Sequence, residues 1–270
     1  MPINVSELTK TGIYQTKATI EIIARDMDEI DALRVSRRKQ KNQFFTLAAI
    51  AFVAGAVLTA VTPWIGVPIL IIFGGLVYAG TMAHRSTPEG PDRTNLVKGL
   101  VTKLANDAHP RAPVSVWISL DQKGNTISEK PWPVKKKGKE RRATCDWLRM
   151  ETTLLDGTEL SQTITDFFRD RTYTNPRGKF KKKRRITAVV VQKYGFPPEI
   201  YGDPARFPDE EIGKLIHLPP SATLRGLRLT DKTLTAKVQV KSGSDLLQSC
   251  TMLSLGVYRI FNLARLVAQR

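Results

Sequence analysis

Cysteine is scarce in this chain of 270 residues, which contains only Cys145 and Cys250. Two cysteines cannot build a disulfide framework, and we expect both to be reduced in a cytosolic compartment. The histidines are equally few, and no Cys/His cluster has the spacing of metal ligands. The sequence therefore predicts neither a structural metal site nor a disulfide-stabilised secreted domain.

Catalytic signatures are also lacking. The chain contains no GxxxxGK[ST] phosphate loop and no GxSxG, HExxH or CxxC motif. None of the histidines, which are His84, His109 and His217, belongs to a recognisable triad. We therefore expect a protein that is not an enzyme and that has no cofactor.

Acidic residues are the third deficiency, because 25 Asp and Glu stand against 42 Lys and Arg, a net charge of +17. The whole excess lies in three stretches, 34–43, 135–142 and 177–185, which carry +5, +5 and +7. The rest of the chain is balanced. Such concentrated positive charge predicts an anionic partner, which is nucleic acid, a lipid surface or an acidic protein.

Charged residues are absent from Phe44 to Ala83, a run of forty residues without Asp, Glu, Lys or Arg. One membrane span needs about 20 apolar residues, and Pro63 and Pro68 interrupt this run near its middle. The pattern predicts a two-helix transmembrane hairpin over 44–83. Because basic residues flank both ends, the positive-inside rule predicts a bacterial inner-membrane protein with both termini in the cytoplasm.

Small residues recur in the same run at a spacing that lets two helices approach closely in lipid. They predict helix packing at Ala51, Gly55, Gly75 and Ala79. The absence of ionisable residues argues against an ion-coupled transporter. The alternative for this run is a buried helical hairpin within a soluble core.

Residues 1–43 form the first predicted segment. Ile20, Ile23, Met27 and Ile30 follow the 3–4–3 spacing of one helical face, which predicts an amphipathic helix over about 15–42. This apolar stripe would pack either on the rest of the chain or on a partner helix. The helix ends in a basic collar next to the predicted membrane segment.

Residues 84–92 predict a short linker, and residues 93–270 predict a β-rich cytoplasmic domain. Alternation of apolar and polar residues over 114–120 is typical of a half-buried strand. Asp156-Gly157 and the segment 230–232 predict hairpin turns, and Ser244 or Asp245 is suited to cap a long last helix. The predicted fold class is membrane-anchored α+β, in which a transmembrane hairpin precedes a mainly antiparallel domain of about six strands with a C-terminal helix.

The basic stretches provide the candidate site, and two of them are predicted to be loops between strands. We expect the following residues to dock an anionic partner or lipid: Arg37, Arg38, Lys39, Lys41, Lys135, Lys136, Lys137, Lys139, Arg141, Arg142, Arg177, Lys179, Lys181, Lys182, Lys183, Arg184 and Arg185.

The favoured function is a non-enzymatic membrane anchor or structural subunit of a larger assembly, with other protein subunits and membrane lipid as partners. Homo-oligomers and hetero-oligomers are both compatible with this function. The alternatives are a membrane-tethered nucleic-acid-binding protein and a two-span membrane-disrupting effector. Nucleic acid is less favoured, because the basic stretches contain no helix-turn-helix, RNP or zinc motif and only Phe180 among stacking aromatics.

Overall fold

The computed structural model describes residues 8, 11–61, 73–75, 77, 91–109, 112–120, 125–131, 138–174, 178–202, 204, 207–241 and 245–268. Eight strands lie in these ranges: β1 (Ile13–Ala18), β2 (Val114–Ser119), β3 (Asn125–Pro131), β4 (Gly138–Thr153), β5 (Glu159–Thr174), β6 (Phe180–Gly195), β7 (Ala222–Leu229) and β8 (Thr233–Lys241). The same ranges contain the helices α1 (Ile20–Val61), α2 (Pro91–Leu104), α3 (Pro198–Tyr201), α4 (Asp209–Leu215) and α5 (Leu246–Ala268). The chain divides into two compact units, of which one holds residues 1–12 and 25–94 and the other holds residues 13–24 and 95–270.

The predicted transmembrane hairpin over 44–83 is wrong. Among the described residues, no helix is long and apolar enough to cross a membrane. The apolar residues from Phe44 onward continue α1, which begins far upstream among acidic and basic side chains. The predicted membrane-anchored fold class, inner-membrane location and cytoplasmic placement of both termini depended on this hairpin and are therefore wrong as well. Most of the predicted second span and the linker at 84–90 lie outside the described residues.

The packing predicted for small residues concerns the first unit and remains a prediction. Ala51 and Gly55 lie in α1, whereas Ala79 lies outside the described residues. Apart from its chain neighbours and the backbone of its own helix, no described residue has an atom within 4 Å of the position that a Cβ on Gly75 would occupy. The ring centroid of Phe52, the residue after Ala51, lies 5.1 Å from that of Phe73, two residues before Gly75.

The predicted helix over 15–42 is wrong at its start. Residues 13–18 form β1, whose Tyr14 lies opposite Ile118 of the antiparallel strand β2. The helix begins only at Ile20, and the predicted stripe residues Ile23 and Met27 are fully buried. Pairing with a distant strand outweighs the helical periodicity of these residues, since strand formation depends strongly on tertiary context.

In the described part of the second unit, the strands form one antiparallel sheet with the order β1-β2-β4-β5-β6-β8-β7. The strand β3 pairs with the first half of β4, whereas β2 pairs with its second half. Each of β4, β5 and β6 is 16 residues long. The prediction of a mainly antiparallel β domain is confirmed, but the sheet has more strands than the predicted six or so.

Two predicted turns join neighbouring strands as expected. Gly157 follows Asp156 with a positive φ of 81°, which glycine adopts without strain. The Asp156 carboxylate accepts a hydrogen bond from the backbone N–H of Thr158 at 2.9 Å, an arrangement that stabilises the reversal between β4 and β5. The backbone N–H of Thr230 donates to the Thr233 carbonyl at 2.8 Å and closes the turn between β7 and β8.

The hydrophobic core lies between one face of the sheet and the helix α5. Asp245 caps this helix by accepting a hydrogen bond from the backbone N–H of Gln248 at 2.9 Å, as predicted. The centroid of the Phe261 ring of α5 lies 4.9 to 6.1 Å from those of four other aromatic rings, which belong to Tyr194, Phe196, Tyr201 and Tyr258. Burial of this apolar area is the main stabilising contribution to the unit.

Removing a core side chain from β4 tests this arrangement. Leu148→Ala deletes a fully buried side chain and should lower the free energy of unfolding by about 2–5 kcal/mol through lost burial and a cavity. Leu155→Ala is the control, because Leu155 is 62% exposed, and a change within about 0.5 kcal/mol is expected. Urea denaturation followed by circular dichroism measures both. Equal effects in the two variants would contradict the core described above.

Candidate anion-binding face

The candidate site lies on the face of the sheet opposite α5. Side chains alternate between the two faces of a strand, so Ile186, Ala188 and Val190 point towards the core, whereas Arg185 and Thr187 lie on the other side. The strand β8 pairs with β6 only from Thr187 onward. The first part of β6 therefore extends beyond the sheet core together with the parts of β4 and β5 that pair with it.

Three arginines form a row across these extended strands. Arg142 of β4 lies directly opposite Arg169 of β5, which in turn lies directly opposite Arg185 of β6. Neighbouring strands are about 4.8 Å apart, so the three side chains share one narrow band of the surface. Like charges placed opposite each other destabilise a sheet, and an anion bound to this band would relieve the repulsion.

A bulge in β4 puts Arg142 on this face. The pairing with β5 shifts between Asp146 and Leu148, so that Trp147 is an extra residue. Leu148 and Met150 point into the core, and without the extra residue Arg142 would lie on the same face as they do. The bulge reverses the alternation and turns Arg142 and Glu140 away from the core.

Glu140 holds the arginines in place from one side. Its carboxylate accepts hydrogen bonds from Arg142 at 2.9 Å, from Arg169 at 2.8 and 3.1 Å and from Arg171 at 2.9 Å. The residue is only 8% exposed. Its hydrogen bonds to Arg169, aided by those of Arg142 and Arg171, lower the pKa of the Glu140 carboxyl to about 2 despite burial. One carboxylate thus orients three guanidinium groups, and the cluster keeps a net positive charge.

The arginine row forms part of a groove of about 760 Å³ that crosses the strands from β3 to β7. Five cations line the groove, and no carboxylate of the described residues does: Arg142, Arg169, Arg185, Arg225 and Lys237. Two apolar side chains also border it and are exposed, Phe167 by 42% and Ile127 by 62%. We call this surface the basic groove.

The cations of the basic groove differ in how they are held. Glu140 restrains Arg142 and Arg169, and the Nε–H of Arg225 donates to the Gln239 side chain at 2.7 Å. The side chains of Arg185 and Lys237 have no ion-pair or hydrogen-bond partner among the described residues. Arg185 is the one member of the arginine row without such a partner among the described residues, so its guanidinium is available to an external anion.

The structure corrects the prediction that the second and third basic stretches are loops. Lys139, Arg141 and Arg142 lie in β4, and residues 181–185 lie in β6. Strand alternation then sends Arg185 to the basic groove and Arg184 to the opposite side. There Arg184 binds Asp170 at 2.8 and 3.1 Å, and its hydrogen bonds lower the pKa of the Asp170 carboxyl.

The remaining predicted site residues are dispersed. Arg37, Arg38 and Lys39 lie in α1, within the other unit, as does the backbone of Lys41. Lys139 binds Glu129 at 3.3 Å, and Arg141 donates to Thr126 at 2.8 Å. Four more lie at the start of β6 or just before it and are exposed: Lys179, Lys181, Lys182 and Lys183. Lys135, Lys136, Lys137 and Arg177 lie outside the described residues.

Sequence reasoning missed several groove residues. Phe167, Arg169, Arg225 and Lys237 lie outside the three basic stretches. A signal for the first two was present, because Phe167, Arg169, Arg171 and Tyr173 alternate along β5 with the period of one strand face. Nothing local marks Arg225 or Lys237, which reach the groove only through the pairing of β7 and β8 with β6.

Substitution of the buried carboxylate tests the electrostatic arrangement. The pKa of Glu140 in the folded protein is below its ordinary value of 4.5, so its stabilising contribution is complete above about pH 4.5 and is lost as the pH falls towards 2. At pH 7, Glu140→Gln should lower the free energy of unfolding by about 1–3 kcal/mol, the scale of hydrogen bonds to charged groups. Chemical denaturation at pH 7 and pH 3 should show the smaller difference at pH 3.

The control for this substitution is Glu151→Gln, which changes an exposed residue of the same strand. It should alter stability by less than about 0.5 kcal/mol at pH 7. A Glu140→Gln protein as stable as the native one at pH 7 would show that the carboxylate does not hold the arginine row together.

The geometry of this face is suited to binding an anion. It presents fixed guanidinium groups, one unpaired arginine and an exposed aromatic ring, and such groups bind anions. Comparison with protein-family models, with curated proteins and with solved structures finds no match for this chain. Its role is therefore inferred from the chemistry of the basic groove alone.

Proposed function

We propose that this protein is a non-enzymatic binding protein that holds single-stranded nucleic acid in the basic groove. The observation that carries the proposal is the row Arg142–Arg169–Arg185 beside the exposed ring of Phe167. Phosphates would contact the arginines, and an unpaired base would stack on the phenylalanine. The groove crosses the strands, so several nucleotides would lie across the sheet.

Arginine suits this task better than lysine does. Its planar guanidinium donates two parallel hydrogen bonds to a phosphate, and it is the preferred residue where such recognition matters. Four of the five cations in the basic groove are arginines. Glu140 restrains two of them before binding, which reduces the side-chain entropy that is lost when a phosphate binds.

Phe167 favours a single strand over a duplex. Stacking needs a base whose face is free, and sheet surfaces with exposed aromatic residues bind single-stranded RNA in this way. The ring lies on the same strand face as Arg169, two residues away. A base stacked there would leave its phosphate close to the arginine row.

An acidic protein segment is the competing ligand, and it is one of the two partners, with anionic lipid, that the basic stretches alone favoured. Its carboxylates would satisfy the guanidinium groups. It has no base to stack on Phe167, however, so that ring would contribute little. The two ligands therefore differ in what substitution of Phe167 should do.

Neutralising one arginine tests the contribution of charge. The probe is a fluorescein-labelled oligouridylate of about 12 nucleotides. Its affinity is measured by fluorescence anisotropy at salt concentrations from about 50 to about 300 mM. Log affinity falls linearly with log salt, and each lost phosphate contact reduces the magnitude of this slope by about 0.7 on a single strand. Arg185→Gln should weaken binding and reduce the slope by about that amount. Lys193→Gln, an exposed cation of the same strand outside the groove, should leave the slope unchanged.

Removing the aromatic ring tests the ligand class. Phe167→Ala should weaken oligouridylate binding about 5- to 150-fold, which corresponds to the ~1–3 kcal/mol of one stacked base. Phe167→Leu should lose a similar amount, because it keeps an apolar side chain but no ring, whereas Phe167→Trp should bind at least as tightly as the native protein. Binding of polyglutamate of similar length should be the same in all four proteins.

Three results would contradict the proposal. The first is no measurable binding of the oligouridylate at 50 mM salt. The second is an equal slope for the Arg185 and Lys193 variants. The third is binding of polyglutamate that exceeds binding of the oligouridylate and is unaffected by Phe167→Ala, which would assign the groove to an acidic protein partner.

A further inference from the structure

A second cavity lies on the core side of the sheet, away from the basic groove. It has a volume of about 90 Å³ and is enclosed by α2, by β4, β5 and β6, and by α5. Five apolar side chains form much of its wall: Leu100, Leu104, Met150, Leu154 and Leu160. A single water needs about 10–15 Å³ of such volume, so the space is sufficient for on the order of seven non-hydrogen atoms.

The helices that enclose this cavity approach each other closely. A Cβ at Gly99 of α2 would lie 2.7 Å from the Leu247 side chain of α5. Glycine thus permits the contact next to the cavity, while the cavity itself stays open further along α2. The space is therefore bounded by a tight helix contact and is not a gap left by loose helices.

Gln162, Tyr194 and Ser254 form a polar floor of the cavity, and Gln192 hydrogen-bonds to them without lining it. Gln192 donates to the Gln162 side-chain oxygen at 2.9 Å and to the Cys250 carbonyl at 3.3 Å. Tyr194 donates to Ser254 at 2.9 Å. Both glutamines are 1% exposed and Tyr194 is fully buried. Burying amides costs free energy unless they are hydrogen-bonded, so apolar residues would be the simpler choice for a purely structural core.

The Gln162 amide is the weakly satisfied member of this network. Its oxygen accepts from Gln192, which directs its nitrogen towards Cys250, at 3.5 Å from the sulfur. A thiol is a weak acceptor, and burial raises the pKa of the Cys250 thiol to about 12, so it remains protonated at neutral pH. Gln162 and Cys250 both line the cavity, and a ligand oxygen there would be a better partner for the amide N–H.

The rim of the cavity is accessible to solvent. Lys103 and Asp107, near the C-terminal end of α2, are exposed, and Leu255 of α5 is 57% exposed. The two rim charges are opposite, so the entrance has no net charge. This arrangement suits a neutral ligand better than an anion or a cation.

We infer that this cavity binds a small neutral molecule of about seven non-hydrogen atoms, mainly apolar, with one oxygen that accepts a hydrogen bond from the Gln162 amide. The apolar wall would contact the body of the molecule and the amide would orient it. The inference does not depend on nucleic-acid binding, because the two sites use opposite faces of the sheet.

Phenol and toluene are the probes, because they have the same number of non-hydrogen atoms and differ in the oxygen. Saturation-transfer NMR and calorimetry on the full chain should show saturable binding of phenol. One added hydrogen bond contributes about 1 kcal/mol with a spread of half that value, so phenol should bind about 2- to 12-fold more tightly than toluene.

Variants of α5 locate the binding. Thr251 lines the cavity, and Thr251→Phe should block it and abolish phenol binding. Asn262→Phe introduces the same side chain at an exposed position of the same helix outside the cavity and should bind phenol as the native protein does. Circular dichroism confirms that both variants are folded.

Three outcomes would overturn the inference. One is the absence of saturable phenol binding to the native chain up to the solubility limit. Another is undiminished binding to Thr251→Phe, which would place phenol elsewhere. The third is equal or tighter binding of toluene, which would show that the polar floor does not select the ligand. If Thr251→Phe does not fold, the first and third measurements, made on the native chain, still decide the question.

Discussion

The register of β4, β5 and β6 is the constraint on which the rest of the second unit depends. These strands pair along nearly their whole length, so a shift by one residue would exchange the core face and the outer face of each strand. In the observed register, the apolar residues in the second half of β6 meet α5. The same register places three arginines from three separate parts of the sequence in one row.

The bulge at Trp147 allows one strand to serve both ends of the sheet. Downstream of the bulge, β4 sends Leu148 and Met150 into the core; upstream, it sends Glu140 and Arg142 to the outer face. A regular strand would have put Glu140 and Arg142 on the other face of the sheet, away from Arg169 and Arg185. The bulge separates the stabilising role of β4 from its contribution to the basic groove.

The two faces of the sheet carry different kinds of polar groups. On the outer face, Glu140 balances part of a cationic cluster and leaves the remainder available to an anion. On the core face, two glutamines, a tyrosine and a serine bond to one another without any formal charge. The polar groups on the core face are thus neutral, whereas the buried carboxylate on the outer face is paired with three arginines.

Local patterns in the sequence predicted the elements whose own residues decide their structure. The turn at Asp156-Gly157, the turn at 230–232 and the long last helix with its cap at Asp245 were all predictable, because each depends on neighbours within a few positions. The low acidic content likewise predicted an anionic partner, although the partner itself remains a proposal. The uncharged run from Phe44 led to a wrong membrane assignment, because local hydropathy does not reveal that these residues extend a long helix that starts among charges.

Tertiary structure alone decided the rest. Residues 13–18 became a strand because β2 was available to pair with them. Basic residues expected in loops became strand residues, and strand alternation then separated Arg185 from Arg184. The sequence by itself determined the amount of positive charge and the local turns and caps. Only the long-range pairing of the sheet decided which charges meet, because residues such as Arg142, Arg169 and Arg225 are brought together by hydrogen bonds between distant strands, and no local pattern encodes that register.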